Sequence, residues 1–207
     1  MEEYTIKNTT FVMSAVSSSA VPEEFAMEIA MVGRSNVRKS SLLNSLCNNF
    51  KLAKVSQAPG KTRHINYFLV NDEFYLVDLP GYGFAKTSKK EKERWSVLLE
   101  DYLSSGRVKH IFLLLDIRHE PTVEDKQMYQ WIIYYGIPFT IVATKADKLA
   151  FTKRQNAANM VAKSLGAPPY ALAYSSETQT GRETLLKRIG AIIGDTVQKC
   201  TKDIDSE

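Results

Sequence analysis

Cysteine is nearly absent. Cys47 and Cys200 are the only two in 207 residues, with neither metal-ligand spacing nor the density of a disulfide scaffold, so a structural zinc site and a small secreted disulfide domain are excluded. Histidine is scarce too, and His110 and His119 have no nucleophile or metal partner in the sequence pattern. No apolar run reaches membrane-spanning length, and the start Met1-Glu2-Glu3-Tyr4 is acidic where a signal peptide would be positive. These absences read as no export, no membrane partner and a reducing, cytoplasmic setting. Neither charge dominates: the net +4 is mildly basic and permits RNA contact without requiring it. There is no internal repeat and no sign of a second domain. At 44% hydrophobic and 24% charged, the chain suits one domain over residues 1–207, with a core over about 25–197 and a polar, fraying tail over 199–207.

What is present begins at Gly33. Residues Gly33-Arg34-Ser35-Asn36-Val37-Arg38-Lys39-Ser40 follow the GxxxxGK[ST] phosphate-loop pattern at every fixed position except Arg38. In that pattern, backbone amides approach the phosphates, Lys39 reaches the β- and γ-phosphates, and the Ser40 hydroxyl binds Mg²⁺. The context fits, because an apolar strand, Glu28 to Val32, precedes the loop and a helical pattern follows from Ser41. At position 38 a long cation replaces a residue chosen for close backbone approach and for a conformation that favours glycine.

Three further segments come in order. Pro59-Gly60-Lys61-Thr62-Arg63-His64 precedes the strand Ile65–Val70; Thr62 there can give its hydroxyl to Mg²⁺ and its amide to a γ-phosphate, though alone it reads as a turn residue. Asp78-Leu79-Pro80-Gly81 follows the run Phe74 to Val77. Its carboxylate can hold a Mg²⁺-bound water and the Gly81 amide can sense the γ-phosphate, yet alone it reads equally as a Pro-Gly turn. Thr144-Lys145-Ala146-Asp147 follows an apolar strand from Phe139. A carboxylate at Asp147 can accept two parallel hydrogen bonds from the ring N–H and amine of guanine, a donor pair adenine does not offer. Lys145 would lie along the base, and Ser175 and Ser176, after Tyr174, would close the far side.

With GRSNVxKSS, PGKTRxINxF, DLPGYGxA, TKAD and YSS in this order, the chain resembles the EngB (YihA/YsxC) family of bacterial ribosome-assembly GTPases, from about Phe11 to Val197. The resemblance implies a GTP and GDP site drawn from residues 33–40, 60–64, 78–81, 144–147 and 174–176, with Mg²⁺ on Ser40 and Thr62 and on Asp78 through water. It implies a cytoplasmic protein tied to large-subunit maturation, to its rRNA and to division septation. The family carries glycine where this chain has Arg38. For catalysis the resemblance points to Lys39, Thr62, Gly81 and Asn36. Asn36 stands where related GTPases help hold K⁺, and reads equally as a loop brace. Tyr82 follows Gly81 where Ras-like enzymes place a water-orienting glutamine, so intrinsic hydrolysis should be slow.

Periodicity predicts an α/β fold of the P-loop GTPase type: a mostly parallel, doubly wound sheet with one antiparallel strand and helices on both faces. The antiparallel strand comes from a hairpin at Asn71-Asp72. Helices are expected over Glu91 to Leu103, from Thr122 to about Tyr135, from Thr152, and from Leu185 to Val197. Basic residues gather beside the second and third segments. Lys51, Lys54, Lys61, Arg63 and His64 flank Thr62, and Lys86, Lys89, Lys90, Lys92 and Arg94 interleave with Tyr82 and Phe84. They suit a surface that grips ribosomal RNA in one nucleotide state, or equally a solvated helix start. We expect a monomer.

Overall fold

A strand buried at every position belongs where both sheet faces are covered, and β2 (Glu28–Gly33) is buried at all six, its one charge, Glu28, paired with Arg107. It lies between β4 (Phe74–Asp78) and β5 (Val108–Asp116), parallel to both. The computed structural model describes residues 4–17, 27–53, 64–83 and 89–204, with main chain alone at Lys89, Lys92 and 197–204. Adding β1 (Thr9–Ala15), β3 (Ile65–Val70), β6 (Phe139–Thr144) and β7 (Ala171–Ala173) gives a seven-stranded sheet in the order β1-β3-β4-β2-β5-β6-β7. Only β3 runs against the rest, antiparallel to β1 on one side and β4 on the other. The three-residue β3–β4 turn, 71–73, places both Asn71 and Asp72 at positive φ, and the Glu73 amide closes it on the Val70 carbonyl at 2.9 Å.

Alternation along β2 divides the core. Ala30 and Val32 face a cluster closed by α2 (Lys89–Ser104), α3 (Val123–Tyr134) and α4 (Phe151–Ser164), through Leu99, Tyr102, Met128, Ile132 and Val161. Ile29 and Met31 face the other cluster, closed by α1 (Lys39–Leu46) and α5 (Arg182–Ile204), through Leu42, Leu43, Leu46, Leu185 and Ile189. The α3 start is fixed locally: the Thr122 hydroxyl accepts from the Asp125 amide while the Asp125 carboxylate accepts from the Thr122 amide.

One strand was not read from the sequence. The strand β1, outside the expected core, adds Ala15 to one cluster, and Ile6 just before it joins the other. Its period is broken by a bulge between Phe11 and Met13, which hides the alternation a strand is read from. The helix α5 runs to Ile204; with no Gly or Pro after Gly194, each added residue extends a helix already nucleated. The N-terminal segment also reaches α5, where a Cβ on Gly190 would come within 2.8 Å of the Tyr4 Cβ.

Candidate nucleotide site

The carboxyl ends of β2, β4, β5 and β6 lie side by side, and the segments singled out in the sequence leave from them. In the loop after β2, Asn36 and Arg38 take the left-handed conformation, at φ 65° and 70°. Alternating right- and left-handed residues turn successive amides toward a common point and form an anion-binding concavity. The loop runs into α1, whose first turn has no acidic residue and no side-chain cap, so its amides face outward unpaired by side chains. Arg38 thus keeps the loop backbone at the conformation glycine prefers, and the Leu42 amide still bonds its carbonyl at 2.9 Å. Its guanidinium leaves the loop and pairs with Glu177 at 2.5 Å. Lys39 is buried and pairs with Asp78.

The segment after β4 is tied to this loop by main chain. The Ser35 amide donates to the Tyr82 carbonyl at 2.8 Å, and the Tyr82 amide donates to the Gly33 carbonyl at 3.4 Å. Gly81 eases that approach: a Cβ would stand 3.3 Å from the Ser35 nitrogen, so the first loop would have to give by a few tenths of an ångström. Tyr82, expected beside the basic surface, turns inward instead. It is 4% exposed, and its hydroxyl donates to Asp125 at 2.8 Å, because the Asp125 carboxylate that caps α3 offers a second oxygen at the right depth. Burial, then the Asp125 charge, pushes the phenol well above its usual range. Trp95 holds the same segment from the other side, donating to the Pro80 carbonyl at 3.0 Å while its ring stacks on Trp131.

The third centre joins the ends of β6 and β7. The Ala146 amide donates to the Tyr174 carbonyl at 3.0 Å, and the Tyr174 amide to the Ala143 carbonyl at 2.8 Å. Asp147 accepts from the Ser175 hydroxyl at 2.7 Å and pairs with Lys148 at 2.9 Å. Burial would raise its pKa, but the hydrogen bonds from Lys148 and Ser175 prevail and hold the carboxyl below the ordinary range. It is therefore an ionised acceptor at neutral pH. Thr144 spends its hydroxyl on the Leu115 carbonyl at 3.0 Å. Lys145, itself left-handed at φ 63°, gives its ammonium to Asp116 at 2.8 Å.

Several expected site residues can contribute main chain only. The side chains of Val37, Leu79 and Tyr174 are buried in the core, and the Tyr174 hydroxyl donates to Ser45 at 3.1 Å. Ser40 sits in the first turn of α1, Ser176 is half-buried, and His64 is exposed. Gly60, Lys61, Thr62 and Arg63 lie outside the described residues, as do Lys54, Phe84 and Lys86. Of the basic residues with described side chains, Lys90 and Arg94 stand in the first two turns of α2, and Lys51 lies beyond the end of α1 that is farther from the loop. His110 is buried against Thr140 at 2.9 Å, with burial and the Arg188 charge pushing it down to about 4, so it is neutral and satisfied.

Sequence reasoning missed Asp116, Asp125 and Glu177. Asp116 ends an apolar parallel strand, a position where ligand-facing residues collect, and that signal was available. It also binds Arg118 through two side-chain bonds of 2.8 and 2.9 Å, and burial is outweighed by Arg118 and Lys145, which hold it far below the ordinary carboxylate range. A cleft of about 240 Å³ opens between the first loop and this strand end, bordered by Arg34, Asn36, Asp116, His119 and Lys145.

The donor set suits Mg²⁺. The Ser40 hydroxyl and the Asp78 carboxylate offer hard oxygen donors that would hold it, and the Lys39–Asp78 pair brings that carboxylate to the residue preceding Ser40. No group of three or more His, Cys, Asp or Glu that could cage a metal occurs among the described residues. A sparse oxygen set is what Mg²⁺ takes, since it keeps waters and phosphate oxygens as its other ligands.

The loop after β2, the Asp78–Tyr82 segment tied to it, and an ionised carboxylate just beyond the end of β6 are the parts of a P-loop GTPase. Residues 28–145 match the family model described as 50S ribosome-binding GTPase. The chain is 50% identical over 184 residues to the probable GTP-binding protein EngB of Clostridium perfringens strain SM101, covering 87% of this chain and 93% of that one. It is 53% identical over 165 residues to the EngB of Alkaliphilus metalliredigens, covering 79% of each. Among solved structures, that of a probable GTP-binding protein EngB superposes with a TM-score of 0.67 at 24% identity, over 81% of this chain and 99% of the other. That of S. thermophilus NFeoB bound to GDP·AlF4⁻ gives 0.58 at 28% identity, over 81% of this chain and 65% of the other. The chain belongs to the EngB family of GTP-binding proteins.

Proposed function

We propose that this protein binds GTP and GDP at the joined strand ends, hydrolyses GTP slowly, and uses the change of state to act on the large ribosomal subunit and its rRNA during assembly, in support of septation. The observation that carries this reading is the hydrogen-bonded junction of three segments: Ser35 with Tyr82, Ala146 with Tyr174, and Ser175 with Asp147. In it Asp147 reads guanine, Lys39 neutralises phosphate charge, the loop amides hold the β-phosphate, and the Gly81 amide meets the γ-phosphate. Ser40, Thr62 and, through water, Asp78 would hold Mg²⁺, which supplies charge neutralisation between the β- and γ-phosphates. Asn36, left-handed and exposed, is the residue we assign to a K⁺ contact. Slow turnover follows from Tyr82, whose buried hydroxyl is committed to Asp125 and does not face an attacking water. The match to the 50S ribosome-binding GTPase family supports the ribosomal partner. We assign a monomer working in the cytoplasm.

Asp147→Asn tests the site. Loss of a charge-assisted pair worth about 1.5 to 3 kcal/mol should weaken GTP binding roughly 10- to 100-fold, with xanthosine triphosphate, whose edge suits an amide, gaining. Unchanged GDP affinity would refute the assignment. A second reading is favoured by Arg38 in the phosphate loop: a module that keeps the fold and the RNA-facing surface but binds nucleotide weakly. Calorimetry of the Arg38 form beside Arg38→Gly separates the two, since equal or tighter nucleotide binding by the Arg38 form rejects the impaired module.

A further inference from the structure

Two of the three cations of the phosphate loop are engaged by carboxylates from other segments: Lys39 by Asp78, and Arg38 by Glu177. The second pair spans 139 residues and joins two places that a guanine nucleotide must also join. Arg38 stands immediately before Lys39, where the loop amides would hold a phosphate. Glu177 stands two residues beyond Ser175, and its amide donates to the Ser175 hydroxyl at 3.2 Å, which in turn donates to the guanine-reading Asp147 at 2.7 Å. The bridge therefore runs from the phosphate end of the site to the base end.

A phosphate group offers a guanidinium more charge and more acceptor oxygens than a carboxylate does, in the same forked geometry. Arg38 has a long stem rooted in the loop, and its side chain is 30% exposed, so it is free to swing. Glu177 is 53% exposed and is not locked in place by burial. We propose that Arg38 and Glu177 form a latch across the nucleotide site, which the phosphates of GDP or GTP open by taking over the guanidinium. Glu177 then sets how tightly this Arg38-bearing chain holds nucleotide, because the ion pair must be given up when the phosphates are bound. The proposal deepens the reading above and rests on it.

The test is a double-mutant cycle on GDP affinity, using the protein stripped of nucleotide, Glu177→Gln, Arg38→Gly and the double variant, each checked for an unchanged circular dichroism spectrum. An exposed pair of this kind is worth up to about 1 kcal/mol, so Glu177→Gln should tighten GDP binding by about two- to fivefold when Arg38 is present. In the Arg38→Gly background the same change should do less. If Glu177 acted only by repelling the nucleotide, its removal would help at least as much with Gly at 38, where no guanidinium shields it. An equal or larger gain in that background, or no gain beside Arg38, overturns the latch while leaving guanine-nucleotide binding in place. Failure of both the Arg38 form and Arg38→Gly to bind GDP would overturn the nucleotide reading and the latch together.

Discussion

A side chain held in the left-handed region costs about 1 to 2 kcal/mol relative to glycine, and Arg38 sits there at φ 70°. Its exposed partner Glu177 offsets little of this. We therefore expect Arg38→Gly to stabilise the folded protein by about 1 kcal/mol, raising the thermal midpoint by roughly 2 to 4 °C. Differential scanning calorimetry in the absence of nucleotide would show it, and an unchanged or lower midpoint would mean that the backbone is not strained there. The same position shows what single residues disclose beforehand. Lys39, Asp78 and Asp147 were legible because each stands at a set offset from a strand end. That a glycine conformation was at stake at 38 was legible too. Where the guanidinium goes was not, because its partner is chosen by the folded surface rather than by neighbours in sequence.

Elements carry the connection from the nucleotide site to the outer helices. The segment Asp78 to Tyr82 is held between β2's loop, α3 through Tyr82 and Asp125, and α2 through Trp95 and Pro80. A displacement of Gly81 pulls on both helices. Tyr82→Phe removes one hydrogen bond to a buried carboxylate and leaves one of its oxygens short of a donor. It should cost roughly 1.5 to 3 kcal/mol of stability, read as a lower urea midpoint with an unchanged denaturant slope. A loss below about 0.5 kcal/mol would show that water replaces the phenol. Strands β2 to β6 and the α3 cap were readable because their patterns are local: continuous apolar runs, a hairpin turn, Thr122 before its helix. The edge strand β1 was not, since its bulge disrupts the alternation and its pairing partner, β3, lies far along the chain.

The whole molecule presents one sheet with its ligand loops at one end, and Lys90 and Arg94 in the first two turns of α2, the helix that follows the Asp78–Tyr82 segment. Replacing Lys89, Lys90 and Lys92 with alanine should weaken co-sedimentation with the large ribosomal subunit. It should also flatten the dependence on salt by roughly one log-slope unit for each RNA phosphate that is no longer neutralised. Folding, followed by circular dichroism, should be unaffected. Sedimentation that ignores both the substitutions and salt would remove this face as the RNA-binding surface.

The seating of Tyr4 on Gly190 sets an order of events during synthesis. At about 5 to 20 residues per second, the segment that carries Tyr4 and Ile6 leaves the ribosomal tunnel roughly 10 to 40 s before the helix it rests on. The cluster that Ile6 shares with Leu185 and Ile189 cannot close until the last helix has been made. Tyr4 and Ile6 thus wait for α5 before they find their place, and a nascent chain halted before Gly190 would keep that face of the sheet only partly covered, by α1, for chaperones to meet.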